Sequence, residues 1–135
     1  MRKITLAILA LLFSSPNYAL DESEVLQFFS HYRALADNFD IALSDSYADD
    51  ALLRVVQTSP DGLERKMNLT GQQYKSAMSS VMKYAKQRGD ISEYSEIKAS
   101  VSEERGVITA VRYSTVKCFT DSDFWMVIEK KLMVY

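Results

Sequence analysis

From Val25 onward the apolar residues recur three and four places apart, through Phe28, Phe29, Tyr32, Leu35, Ala36 and Phe39. That spacing puts them on one face of an amphipathic helix. Asp21 and Glu24 ahead of it read as a capping pair, with Asp21 accepting from the first-turn amides. Asn38 or Asp40 then caps a second, shorter helix carrying Phe39, Leu43 and Tyr47 at intervals of four, and Asp49-Asp50 ends it. Residues 51–58 read as a strand. Ser59-Pro60-Asp61-Gly62 is a turn in which Pro presets φ and Gly relieves the end, and residues 63–69 return from it as a hairpin. Thr70-Gly71-Gln72-Gln73 is a capping box, behind which Tyr74, Ala77, Met78, Val81 and Ala85 share a helical face. Gly89 stands where a left-handed C-terminal residue is wanted.

The remainder alternates as strand. Ile91, Ile97, Ala99 and Val101 are predicted to share one face of the first strand. Glu103-Glu104-Arg105-Gly106 turns the chain into residues 107–119, and Asp121-Ser122-Asp123 turns it again into residues 124–135. Three strands at this spacing predict an antiparallel meander. Helices, a short hairpin and then a meander is an α+β order, in which a sheet folded against the helices buries both apolar sets.

Residues 5–13, TLAILALLF, follow Arg2 and Lys3 and precede Ser14-Ser15-Pro16. A basic start, a short apolar run and a break describe a signal peptide, with cleavage expected after Ala19. The run is too short to span a bilayer comfortably, so no stable membrane insertion is expected after cleavage. The expectation is residues 1–19 as leader and residues 20–135 as one domain, periplasmic or secreted. The chain has 135 residues, 47% hydrophobic and 25% charged, ordinary for a soluble globular protein. Loss of Arg2 and Lys3 takes the net charge from −2 to −4, which argues against nucleic acid or an anionic membrane as partner. Cys118 and His31 are each alone in the sequence, so neither a disulfide within the chain nor a His/Cys zinc site is expected, and no cofactor is implied.

With Tyr32, the Phe39-Asp40 pair, Tyr47-Ala48-Asp49-Asp50-Ala51 entering a strand, and Gly71 and Tyr74 opening the next helix, the sequence resembles the nuclear transport factor 2-like (NTF2-like) superfamily. This group includes ketosteroid isomerases and SnoaL-like proteins. The resemblance spans nearly the whole of residues 20–135 and implies a cone, with N-terminal helices packed on a curved, mostly antiparallel sheet. One departure stands out: the family closes with a further short strand, and this sequence runs to Tyr135.

The resemblance places Tyr32 where the isomerase branch carries a helix-borne tyrosine donor. The carboxylate base of that branch falls near Arg54 and Val55, where this sequence has no acid. Glu129 on the last strand is the remaining candidate, and without a base at the family's position no catalytic residue is assigned. Asp49 and Asp50 read as a helix end rather than a paired-carboxylate site. If the cone holds a cavity, Phe28, Tyr32, Tyr47, Tyr113 and Trp125 are candidates to line it, and Tyr84, Tyr94, Phe119 and Phe124 are further aromatics for cavity or core, since aromatic side chains supply most of the apolar area in a domain of this size. Arg112 and Tyr113 are adjacent on a strand, so only one of them looks inward. An inward Arg112 needs a carboxylate partner, which a ligand could provide; otherwise it is a solvated strand residue. Cys118 reads as a small buried hydrophobe within its strand. The expected function is an exported, non-catalytic domain that binds a small apolar ligand or a protein partner and forms a homodimer through the second apolar face of its sheet. The alternatives are an isomerase, cyclase or hydratase, or a subunit of a cell-envelope assembly.

Overall fold

A computed structural model describes residues 20–58 and 61–130. The expected leader, the first half of the hairpin turn and residues 131–135 of the last predicted strand lie outside the described residues. The chain folds as α+β, with helices packed on antiparallel sheets. Helix α1 is Glu22–Asp37 and helix α2 is Gly71–Arg88. Strands β1 (Leu52–Thr58) and β2 (Glu64–Thr70) form one two-stranded sheet, while β3 (Ser92–Ser102), β4 (Arg105–Ser114) and β5 (Phe119–Glu129) form a meander in that order.

The helix termini follow the capping chemistry written in the sequence. Asp21 accepts from the Glu24 amide at 2.8 Å, which satisfies one of the amides that the first turn leaves unpaired. Leu20, just before this cap, is buried to 3% exposure in the same cluster as Val25, a hydrophobic staple that fixes the entry angle of α1. At α2, Thr70 and Gln73 exchange hydrogen bonds at 3.1 and 2.9 Å, and Gly89 closes the helix with φ of 64°.

The second helix is shorter and tighter than its periodicity predicts. It is a 3₁₀ segment, Ile41–Ser46, capped by Asp40 through the Ala42 amide at 2.9 Å. Phe39 and Tyr47 flank it. Phe39 instead terminates α1 in a left-handed conformation, φ 54°: its amide bonds the Ala36 carbonyl while the Asp40 amide reaches back to Leu35. This is a Schellman closure with phenylalanine in the place usually held by glycine. The backbone cost, about 1–2 kcal/mol for a side chain there, is offset by packing of the Phe39 ring against Leu43, Met78 and Met82.

Two bulges correct the strand reading. Between Ser95 and Lys98 the register of β3 on β4 shifts, with Glu96 at φ 51°. The extra residue reverses the alternation, so Tyr94 rather than Ile91 shares the packed face with Ile97 and Ala99. The β4–β5 turn occupies residues 115–118, not 121–123. Asp121 accepts from the Asp123 amide at 2.9 Å, which is the local chemistry of a turn, yet β5 absorbs it as a bulge opposite Val111. Cys118 therefore lies in the turn, exposed and at φ 49°, and is not a buried strand residue.

The core has two lobes. In the first, Leu20, Val25, Phe28 and Phe29 of the α1 region meet Ile108 and Ile128 of the meander. In the second, Leu43 packs with Met78 and Met82 of α2. Two glycines permit close approach: a Cβ on Gly106 would run into Val25, and one on Gly71 into the Ala48 backbone carbonyl. Gly71 also donates to the Ala51 carbonyl at 2.7 Å, so α2 starts pressed against the segment leading into β1.

Gly71→Ala is expected to cost about 1–3 kcal/mol, because backbone must move to admit the methyl group. Ile108→Ala is expected to cost about 2–5 kcal/mol by leaving a cavity under α1. Urea unfolding midpoints measure both; an unchanged midpoint for Gly71→Ala contradicts the close approach.

Candidate binding site

Tyr32 stands on α1 at the seam between the two lobes and packs against both. Its hydroxyl meets the Tyr47 hydroxyl at 2.8 Å, and Tyr47 is held at the end of the 3₁₀ segment. Tyr74 of α2 lies with its ring 5.1 Å from that of Tyr47. On the other side Tyr32 stacks with Phe29 at 6.1 Å, Phe29 meets Tyr94 edge-on at 5.2 Å, and Tyr94 meets Phe124 at 5.1 Å. Six rings thus run from the meander across α1 to α2, each near a neighbour at a favourable ring spacing. Arg33 lies over the Phe29 and Tyr94 rings at 5.9 and 5.3 Å.

Arg112 overlooks this row. It alternates on β4 with buried Gly106, Ile108 and Ala110, so it shares their face, but its own side chain is exposed, as expected of a solvated strand residue. Its Nε donates to the Ser92 hydroxyl at 2.9 Å, and its charge acts on Tyr32, Tyr74 and Tyr94. Asp121 sits directly across from it on β5.

The hydroxyls stay protonated at neutral pH. Burial raises the Tyr32 pKa far above its ordinary 10.0, and the Tyr47 hydrogen bond offsets only part of that. Burial likewise pushes Tyr47 up, reinforced by its phenol neighbours Tyr32 and Tyr74. Tyr74 and Tyr94 are also raised by burial, with Arg112 opposing in both cases. Two neutral phenols share one mutual hydrogen bond and hold two protons. One O–H therefore remains to be offered to a third group.

Of the residues singled out in the sequence, the structure brings Tyr32, Tyr47 and Arg112 together. Phe28 is buried in the first lobe, in one cluster with Ile108. Tyr113, Trp125 and Glu129 lie on the opposite, outer face of the meander, where they alternate with the buried residues of β4 and β5. The Tyr113 hydroxyl is raised by a hydrogen bond with Cys118, and Glu129 meets Arg105 at 3.5 Å. Trp125 is 57% exposed, and Val107 pairs across to Val127 beside it. A shallow depression of about 170 Å³ lies where the two bulges approach, lined by Glu96, Lys98, Thr109, Ala110, Val111 and Ser122.

Tyr74 is the member that sequence reasoning placed only in the core. Its signal was its place one turn before Met78 on the same helical face. Tyr94 joins through the β3 bulge, which the alternation pattern alone does not reveal.

Comparison with family models, curated proteins and solved structures finds no match. Among the described residues, no helix is long and apolar enough to cross a membrane. No group of three or more His, Cys, Asp or Glu side chains among them is placed to hold a metal ion.

Because Tyr32 and Tyr47 bind their protons more tightly folded than unfolded, stability is expected to be level through neutral pH. It should fall once pH passes about 10, where the unfolded chain releases phenol protons that the fold retains. Absorbance titration should show these two phenols ionising only as the protein unfolds; ionisation of every tyrosine near pH 10 with the fold intact would contradict this.

Proposed function

We propose that the chain is an exported, non-catalytic NTF2-like domain that binds a small apolar ligand over its row of tyrosines. The observation that carries this reading is the convergence of Tyr32, Tyr47, Tyr74 and Arg112, from four separate elements, on one apolar face. Rings supply the contact area and the remaining phenol proton fixes a ligand's acceptor atom, the division of labour common to small-molecule sites. Proton abstraction needs a base within hydrogen-bond reach of the ligand. Among the described residues no carboxylate bonds to Tyr32 or Tyr47, and Glu129 stands on the far face. An enzyme built on this site would draw its base from Asp121, across the strand pair from Arg112, or from Asp37, which acts on Tyr94.

The proposed cleavage after Ala19 is compatible with the packing of Leu20. Leu20 is buried in one cluster with Val25, so cleavage after Ala19 would keep this core side chain in the mature protein. Mass spectrometry of the native protein should find Leu20 at the amino terminus in a periplasmic or secreted fraction. A mature chain beginning beyond Leu20, or an intact Met1, refutes this.

Binding is tested by thermal-shift screening of apolar carbonyl compounds, followed by assay of the binders for turnover. Tyr32→Phe should weaken binding or lower stability by about 1 kcal/mol, the usual worth of one neutral hydrogen bond. Turnover abolished by Asp121→Asn would establish the enzyme reading in place of this one.

The outer face supports a second reading, association of two copies. Trp125, Val107, Val111 and Val127 present apolar surface, and Glu93, Lys98, Arg105 and Glu129 around them carry both signs of charge. A two-fold copy of this patch meets apolar surface and no excess of like charge. Sedimentation at micromolar concentration should give a dimer that Trp125→Glu converts to monomer. A monomeric wild-type protein would refute it.

A further inference from the structure

Arg112 distinguishes the tyrosine face from an ordinary aromatic core, because it brings a solvent-exposed guanidinium beside partly buried rings on which its charge acts. Here its Nε is held by Ser92, which orients the guanidinium, while its two terminal amino groups have no acceptor among the described residues. Asp121 is opposite in the strand register but beyond ion-pair distance, and one of its oxygens accepts from the Asp123 amide. Arg33, the other arginine near the rings, is laid over Phe29 and Tyr94. The Tyr74 hydroxyl has no hydrogen-bond partner among the described residues. The site therefore combines apolar walls with an oriented fork of N–H donors and a phenol, with Asp121 across the strand pair and Asp37 near Tyr94 as its neighbouring carboxylates.

Resting on the ligand-binding reading above, we infer that the ligand is an apolar carboxylic acid whose carboxylate pairs with the terminal amino groups of Arg112. Its hydrocarbon part lies along the Tyr32, Tyr74 and Tyr94 rings. A planar guanidinium held at Nε offers parallel N–H bonds that match a carboxylate and that an ammonium group cannot reproduce. Asp121, across the strand pair from Arg112 though beyond ion-pair distance of it, is the intramolecular competitor for a ligand's carboxylate.

Phenylpropionate and its neutral counterpart phenylpropanol share the same ring and chain length, and isothermal titration of the purified protein at neutral pH compares them. The acid should bind about tenfold or more tightly than the alcohol, as a charge-assisted pair requires. Arg112→Gln should erase that preference, and Arg112→Lys should restore only part of it. Asp121→Asn, which removes the competitor, should tighten the acid by about threefold. Equal binding of acid and alcohol would overturn the carboxylate assignment and leave the apolar-ligand reading standing. Binding of neither by a protein with an intact unfolding transition would overturn both. An acid preference that survives Arg112→Gln would overturn the role of Arg112.

Discussion

The Tyr32–Tyr47 hydrogen bond joins the halves of the molecule. One lobe of the core forms where α1 lies on the meander, the other where α2 lies on the 3₁₀ segment, and Tyr32 packs against both. Its ring extends the aromatic row toward Phe29, and its hydroxyl fixes Tyr47 and thereby the end of the 3₁₀ segment. A phenol suits this place because it buries a large apolar body yet demands a partner for its polar tip. The partner it finds is a second phenol, so both are desolvated without either bearing charge.

Around that junction the chain repeatedly accepts local strain to serve packing. Phe39 takes a left-handed backbone so that its ring can enter the second lobe. Glu96 does the same at the β3 bulge, which turns Tyr94 onto the face of Ile97 and Phe124. Gly71 and Gly106 remove side chains where a helix start and a strand must nearly touch their neighbours. Each feature brings an aromatic ring or a helix closer to the seam than regular geometry would allow.

The two faces of the meander consequently differ in character. The inner face carries rings and neutral hydroxyls in a partly desolvated setting, with the exposed guanidinium of Arg112 beside them. The outer face carries Trp125 and valines amid paired charges, open to water, where contact area and shape govern association. The proposed ligand site and the proposed contact between copies rest on these separate surfaces, so a change on one is independent of the other.

Capping and turn chemistry were legible in the sequence because they are local. Asp21, the Thr70–Gln73 box, Gly89 and the helical face of α2 depend on residues within one or two turns, and the structure has them where the sequence places them. The α+β order follows from the same short-range periodicities. Tertiary structure alone decided matters of parity and register. One inserted residue in β3 brought Tyr94 inward, and a turn-like Asp121-Ser122-Asp123 became a bulge once β4 offered it a partner. The sequence showed that Arg112 and Tyr113 must face opposite ways. Only the pairing of β4 with its neighbours determined that Arg112 meets the tyrosines while Tyr113, Trp125 and Glu129 turn away. A two-residue repeat states which side chains are together but not which side the helices will cover, and that choice is made by contacts far apart in the chain.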